Sequence, residues 1–138
     1  MDVVFRSLLN WQNGLKILVY NGDTDSVCNY LGDQWFVEDL NLPYVGERAD
    51  WHFMLQSDSI SEVAGSQQRF SMGTNSSFID LVTIKGSGHM VPTDRPGQSL
   101  QMFANFIYGN SNYDTPANVS MNRLPLKDQY KTTEPMCK

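Results

Sequence analysis

The sequence has little of what several classes of protein require. Its 138 residues contain two cysteines and two histidines, too few for a closed zinc site without carboxylates at unusual spacings. No apolar run approaches the ~20 residues of a transmembrane helix, and residues 1–10 carry charges of both signs, so we expect neither a membrane partner nor a signal peptide. The formal charge of −5 argues against a nucleic-acid partner. We expect no metal and no cofactor.

What is present is enough for one folded domain of the α/β class. The hydrophobic fraction of 41% can build a core and excludes wholesale disorder. The apolar run Leu15–Tyr20, bounded by glycines, predicts a buried strand, and the β-branched run Phe78–Lys85 predicts a second one. Helical spacing predicts a helix over Ser26–Leu40 and another that opens at Pro96. The apolar stripe predicted for the latter consists of Leu100, Phe103, Ala104 and Ile107.

The remaining segments are less regular. Residues 41–59 predict a loop with one short strand, and residues 61–72 predict an edge strand or a hairpin arm. Asn, Ser, Thr, Pro and Lys dominate from Gly109 onward, so we divide the chain into a folded part, 1–108, and a mostly irregular, partly docked tail, 109–138. We expect Trp35, Phe36 and the stripe around Phe103 to lie in the core.

Two loops carry the residues of greatest chemical interest. The first predicted strand runs into YNGDTD, residues 20–25, and the second runs into KGSGHMVP, residues 85–92. Side chains just beyond the carboxyl ends of parallel strands line the binding crevice of an α/β sheet. An aspartate beside a histidine there orients the imidazole, fixes its tautomer and stabilises the imidazolium formed in turnover. An aspartate of the first loop and the histidine of the second are therefore predicted to be the acid and base of a catalytic triad.

The nucleophile of such a triad is missing. In α/β-hydrolases the triad runs in the order Ser, Asp or Glu, His, and the serine lies in a G-x-S-x-G turn, which this sequence lacks. Ser87 lies two residues before His89 on one turn, which is poor geometry for a nucleophile and its base, so we interpret it as a loop residue. His52, between two aromatic residues, is expected to be structural.

The two loops also resemble a known family. NGDTDSVCNYLG and IKGSGHMVPTDRPGQSLQMFANFI are similar to the C-terminal third of a serine carboxypeptidase, most of all to the lysosomal protective protein (cathepsin A) group. The resemblance covers about Leu15–Tyr108. It implies the C-terminal portion of an α/β-hydrolase fold, with a partial, mostly parallel sheet and flanking helices. It also implies peptide hydrolysis at a chain's C-terminus and a lysosomal or secreted location.

The resemblance assigns roles to individual residues. Asp25 corresponds to the triad acid and His89 to the general base. Cys28 corresponds to a thiol that lines the substrate pocket, and Met90 to a residue beside the leaving-group pocket. Asp23 is expected to be a turn residue whose side chain caps backbone N–H groups.

The family's nucleophile elbow, oxyanion hole and carboxylate-binding residues are absent from this sequence. We interpret the chain as a C-terminal piece of a longer protein, the smaller chain of a two-chain enzyme, or a gene fragment.

The expected partners are a peptide or protein substrate, the missing N-terminal chain and a second copy in a homodimer. A non-catalytic binding or structural role and an acyltransferase remain alternatives. Asn75 and Asn118 begin glycosylation sequons, and Cys137 is free or pairs with the missing part.

Overall fold

The computed structural model describes residues 2–11, 14–54, 61–71 and 76–117. Four helices and four strands lie within these ranges. In chain order they are α1 Asp2–Trp11, β1 Lys16–Gly22, α2 Tyr30–Asp39, β2 Tyr44–Met54, β3 Ser61–Ser71, β4 Phe78–Ile84, α3 Val91–Asp94 and α4 Pro96–Tyr108. The predicted α/β class is confirmed. The division of the chain after residue 108 stays a prediction.

The strands form one mixed sheet in the order β1-β4-β3-β2. β1 runs parallel to β4, whereas the pairs β4–β3 and β3–β2 are antiparallel. The prediction of a mostly parallel sheet is therefore wrong. The reason lies in the connections, because parallel neighbours need a crossover of about a dozen residues or more. Met54 and Ser71 are each followed by only six residues before the next strand, and such short links favour antiparallel pairs.

The core lies on both faces of β4, all seven residues of which are buried. Successive side chains of a strand point to opposite faces of the sheet. Ile79 and Leu81 join a cluster with residues of α1 and α2. Val82 and Ile84 join a second cluster with Met102 of α4. The helices therefore cover both faces of the sheet, and β1 and β4 are held between them.

The irregular middle of the sequence proves more ordered than expected. β2 has 11 residues where a loop with one short strand was predicted. β3 is the hairpin arm that was one of the two alternatives, and its position between β4 and β2 excludes the edge strand. Charged residues such as Glu47 and Arg48 interrupt the alternation of β2, which lies at the edge of the sheet and is exposed along its first seven residues.

Helix α4 forms as predicted but buries a different face. Phe103 is 54% exposed and Ile107 is 55% exposed, and Trp35 on α2 is 63% exposed, so the prediction that these three side chains lie in the core is wrong. Ala104 is the member of the predicted stripe that is buried. Phe36 does pack partly buried against the core. The buried residues of α4 are Ser99, Gln101, Met102, Ala104 and Asn105.

The buried amides of α4 explain this orientation. Gln101 Nε2 donates to the carbonyl oxygens of His52 and Tyr113 at 2.7 Å each. Asn105 Nδ2 donates to the carbonyl oxygens of Gln101, Tyr113 and Thr115 at 2.7–3.3 Å. Buried polar groups are tolerated where they are hydrogen-bonded. The two amides thus hold the segment that follows α4 against the sheet, and a hydrophobicity pattern does not anticipate that contact.

A buried polar cluster, which we call the Asp80 cluster, fixes the same segment. It consists of Arg69 on β3, Asp80 on β4 and Tyr113. The Arg69 guanidinium donates to both oxygens of Asp80 at 2.6 and 2.7 Å, and Tyr113 Oη donates to Asp80 Oδ2 at 2.7 Å. Burial, followed by the Asp80 charge, raises the pKa of the Tyr113 hydroxyl above its usual value. Residues 110–115 are therefore docked on the sheet.

None of the helices in the described ranges has the length and hydropathy that a membrane span requires.

Candidate active site

Asp25 lies in the loop that leaves β1, with its side chain almost excluded from solvent. Its Oδ1 accepts hydrogen bonds from the backbone N–H groups of Val27 at 2.9 Å and Cys28 at 3.0 Å. These bonds hold residues 25–28 in a turn. The periodicity had predicted that the helix starts at Ser26, but α2 begins only at Tyr30, after the N-cap Asn29. An aspartate that caps its own following N–H groups competes with helix formation in this way.

His89 meets this carboxylate from the loop that leaves β4. The parallel register pairs Gly22 with Ile84, so both strands end at the same edge of the sheet. His89 Nδ1 lies 2.9 Å from Asp25 Oδ2. The Asp25 side chain is 5% exposed, whereas the His89 side chain is 70% exposed. The structure thus brings the two residues together, with the carboxylate enclosed and the imidazole facing open space.

The protonation of the pair follows from the hydrogen bonds. The Val27 N–H, followed by the His89 side chain, holds the pKa of Asp25 below its usual value of 3.8. An ionised carboxylate only accepts hydrogen bonds, so the proton between the two side chains belongs to His89 Nδ1. In the neutral imidazole Nε2 then carries no proton and is free to accept one.

The two loops are joined by more than this pair. Asp23 Oδ1 accepts from the Gly86 N–H at 2.7 Å, and Thr24 Oγ1 donates to the Ser87 carbonyl at 2.7 Å. Gly22 lies so close to the other loop that a Cβ atom built on it would be 2.1 Å from the Ser87 oxygen. Asp23 caps backbone as predicted, but the N–H belongs to the neighbouring loop rather than to its own turn.

A third carboxylate, which the sequence analysis did not single out, fixes the His89 loop from its far side. Asp94, the last residue of α3, accepts from the Gly88 N–H at 2.8 Å through Oδ2, which also lies 3.4 Å from Ser87 Oγ. Next to it, Arg95 Nε donates to the Gly86 carbonyl at 3.3 Å. In the sequence, the only indication of this role was that a charged pair, Asp94 and Arg95, closely follows a glycine-rich loop whose backbone N–H groups need acceptors.

Cys28 and Met90 lie beside the pair. Cys28 is exposed, and its sulfur, a carboxylate oxygen of Asp25 and a ring nitrogen of His89 all lie within 4.8 Å of one another. Met90 follows His89 directly and is 61% exposed. Both positions are open to a bound molecule, and their roles as pocket residues stay predictions.

The other singled-out residues lie elsewhere. Ser87 is buried, and its hydroxyl donates to the Gly88 carbonyl at 3.2 Å, so it points into its own loop. The backbone N–H of His52 donates to Asp114 Oδ1 at 2.6 Å, which places this histidine beside the docked segment 110–115. The predicted glycosylation sites and the second cysteine lie outside the described residues; they are Asn75, Asn118 and Cys137.

The sequence model of the serine carboxypeptidase family matches residues 1–109. The chain belongs to the serine carboxypeptidase family. Serine carboxypeptidase ctsa-4.1 of Caenorhabditis elegans is 44% identical over 107 residues, which cover 75% of this chain and 21% of that protein. The lysosomal protective protein of Mus musculus is 40% identical over 107 residues, covering 78% of this chain and 21% of that protein. Serine carboxypeptidase II-1 of Hordeum vulgare is 35% identical over 104 residues, covering 75% and 28%.

The resemblance inferred from the two loops is thereby confirmed at the level of the family. The match to the family begins at residue 1, earlier than the stretch from Leu15 on which the resemblance was based. The chain spans only about a fifth of the length of the first two relatives, 21% in each case.

Proposed function

We propose that this chain supplies the acid and the base of a Ser-Asp-His triad to a serine-type carboxypeptidase of the α/β-hydrolase fold. The observation that carries the proposal is the 2.9 Å contact between His89 Nδ1 and Asp25 Oδ2 at the shared end of two parallel strands. Asp25 fixes the tautomer of His89 so that Nε2 carries no proton, and the imidazole is 70% exposed. Membership of the family supports the same roles.

The reaction is hydrolysis of the C-terminal peptide bond of a peptide or protein substrate. A serine supplied by the rest of the longer protein attacks the scissile carbonyl, and His89 Nε2 accepts the serine proton. The imidazolium, stabilised by Asp25, then donates that proton to the departing amino acid. A water molecule, deprotonated by His89 in the same way, attacks the acyl-enzyme, and the imidazolium returns the proton to the serine oxygen as the shortened peptide leaves. Cys28 and Met90 line the pocket beside the reacting bond.

The missing part of the sheet would dock along β1, which pairs with β4 on one side only among the described strands. An apolar groove lies between β1 and the helices that follow β4, lined by Ile17, Tyr20, Leu100, Phe103 and Phe106 among others. Soluble monomers rarely leave a continuous apolar surface bare, and an unpaired strand edge invites pairing. The exposed face of α4, which carries Phe103 and Ile107, is therefore the surface on which the N-terminal chain would dock. A second copy of this chain is the competing occupant when that part is absent.

Two further features follow from the family. The lysosomal protective protein of Mus musculus carries a location in its name, and we propose a lysosomal or secreted location for this protein as well. Asn75 and Asn118 would then be exposed to glycosylation in the secretory route.

The test is peptidase turnover on a blocked dipeptide at mildly acidic pH. The 138-residue chain is assayed alone and after co-expression with the N-terminal part of its longer protein. We expect turnover from the complex but only background rates from the chain alone, because the chain lacks the nucleophilic serine and the oxyanion hole. His89→Ala should lower kcat of the complex by several orders of magnitude. His52→Gln, which changes the other histidine, is the matched control and should keep most of the activity.

The remaining outcomes discriminate the alternatives. A complex that forms but does not hydrolyse peptides, and transfers acyl groups between small esters instead, would favour an acyltransferase. A stable complex without either activity would favour a structural role. Turnover by the chain alone would mean that a nucleophile lies within these residues, and would contradict the proposal.

A further inference from the structure

Cys28 adds to the Asp25–His89 pair a third ligand atom, a sulfur that takes no part in the proton transfers of hydrolysis. The exposed sulfur of Cys28 lies with a carboxylate oxygen of Asp25 and a ring nitrogen of His89 inside a span of 4.8 Å. Three protein ligands of the types S, N and O, with one open position left for water, match the preferences of Zn²⁺. We propose that these three residues form a binding site for a thiophilic divalent cation of the Zn²⁺ type.

The Asp25–His89 part of the set requires little rearrangement. Zn²⁺ holds nitrogen and oxygen ligands at about 2.0–2.2 Å, so two such ligands in a tetrahedral site lie roughly 3.3–3.5 Å apart. Asp25 Oδ2 and His89 Nδ1 are now 2.9 Å apart, and a cation that replaces the shared proton needs them to separate by only a few tenths of an ångström. Asp25 is already fixed through Oδ1 by two backbone N–H groups, so it offers one rigid ligand.

The other two ligands are mobile enough to close on a cation. The His89 side chain is 70% exposed, and Cys28 is exposed, so both side chains can turn without displacing the core. On binding, the Cys28 thiol loses its proton to solvent and becomes a thiolate. The carboxylate and the thiolate together balance the two positive charges of the cation, and the imidazole binds as a neutral ligand.

Occupation of the site would switch off the base, a consequence that rests on the proposed function, whereas binding itself does not. A cation on Nε2 occupies the atom that accepts the serine proton. A cation on Nδ1 forces the ring proton onto Nε2, which then has no lone pair to accept another. In either arrangement His89 stops acting as a general base, and removal of the cation restores it.

The first experiment measures binding without any activity. The 138-residue chain, kept reduced with a phosphine that does not chelate metals, is titrated with Zn²⁺ against a chromogenic zinc indicator. Co²⁺ is used in parallel, because a thiolate ligand gives an intense near-ultraviolet charge-transfer band. We expect one equivalent of Zn²⁺ to bind at micromolar concentration and the Co²⁺ complex to show the thiolate band.

Variants then identify the ligands. Cys28→Ser should remove the thiolate band, and Asp25→Asn and His89→Ala should each weaken binding by at least about tenfold, since even residues that only support a metal ligand cost about 10- to 100-fold when lost. Cys137→Ser and His52→Gln are the matched controls and should bind as the parent chain does. Far-ultraviolet circular dichroism checks that each variant is folded. An unchanged affinity in Cys28→Ser, or a band that follows Cys137 instead, would overturn the site.

The second experiment separates the two proposals. In the active complex, Zn²⁺ should inhibit turnover and a chelator should restore it, while Cys28→Ser, compared with its own metal-free rate, should be inhibited at least about tenfold less strongly. A chain that binds Zn²⁺ through Cys28 in a complex without peptidase activity would contradict the proposed function alone. An active complex whose chain binds no Zn²⁺ would contradict the cation site alone.

Discussion

Among the residues that the structure describes, two carboxylates are almost excluded from water, and their hydrogen-bond partners differ in exposure. Asp80 is 1% exposed and Asp25 is 8% exposed. Asp80 accepts hydrogen bonds from Arg69 and Tyr113, which are themselves largely buried. The partner of Asp25 is His89, which faces open space. The comparison teaches that a buried carboxylate serves folding where its partners are enclosed with it, and becomes available for chemistry where its partner is exposed.

The largest effect is expected where Asp80 is removed. Asp80→Ala leaves the charge of Arg69 and the hydroxyl of Tyr113 without their shared acceptor in a buried site. Breaking a buried ion pair from one side costs about 3–5 kcal/mol, a large part of a typical domain's stability. We expect the free energy of unfolding, measured by urea denaturation, to fall by about that amount.

The control for this prediction removes both charges. Replacement of a buried pair by apolar residues of similar volume is often nearly neutral, so Asp80→Leu with Arg69→Met should be less destabilising than Asp80→Ala alone. Tyr113→Phe removes only one donor and should cost about 1–3 kcal/mol. If the double variant is as unstable as the single one, the stabilisation comes from packing rather than from the paired charges, and the first half of the comparison fails.

A smaller effect is expected at Gly22, where the two active-site loops touch. The Cβ atom of Gly22→Ala would lie 2.1 Å from the Ser87 carbonyl oxygen, a backbone atom that cannot turn away. Overpacking of this kind costs about 1–3 kcal/mol. We also expect the loops to separate and the hydrogen bond between His89 and Asp25 to weaken, which nuclear magnetic resonance detects as loss of its deshielded imidazole proton.

Gly32→Ala is the matched control for this change. Gly32 lies inside α2, where a Cβ atom meets only Asn29 Oδ1 at 3.9 Å, an ordinary contact. Alanine is the better helix former by roughly 1 kcal/mol, so this variant should be slightly more stable. Its imidazole proton signal should be unchanged. A Gly22→Ala variant that behaves like Gly32→Ala would show that the close approach of the loops is not needed.

The two regions also differ in how far the sequence predicted them. The Asp25–His89 pair follows from local patterns, because two strands that are parallel neighbours and end in polar, glycine-rich loops bring those loops together. Strands β1 and β4 and helix α4 are also predicted from local patterns. The strands are short apolar or β-branched runs bounded by turn residues, and the helix has apolar residues at helical spacing. Asp94 was missed, because only the folded loop shows that the Gly88 N–H needs an acceptor.

The Asp80 cluster was not predicted, and the reason is physical. Its members are Arg69 on β3, Asp80 on β4 and Tyr113 after α4. Asp80 stands inside the run that was predicted to be a buried strand, but nothing local identifies Arg69 and Tyr113 as its partners. The same limitation explains the wrong face of α4. A pattern of hydrophobicity places Phe103 inside, whereas hydrogen bonds from Gln101 and Asn105 to the segment after the helix decide its orientation. Long-range polar contacts carry information that periodicity does not.

The smallest expected effect concerns Asp25 and depends on pH. The Val27 N–H and the His89 side chain hold the pKa of Asp25 below 3.8, the usual value, which also describes the unfolded chain. The folded state therefore binds this proton less readily than the unfolded state does. The stabilisation is complete above about pH 5 and is lost as pH falls through 3.8 to the lowered pKa.

Asp25→Asn keeps an oxygen that accepts from Val27 and Cys28 but cannot ionise. Relative to the parent chain, we expect its unfolding free energy to be lower by a constant amount above about pH 5, and the gap to narrow as pH falls below 3.8. Gly32→Ala should differ from the parent by the same amount at every pH. A gap for Asp25→Asn that stays constant down to strongly acidic pH would contradict a carboxylate held ionised by its partners. Asp25 would then share with Asp80 its burial but not an ionised state held by hydrogen-bond partners. The orientation of His89 would have to come from the close contact of the two loops at Gly22.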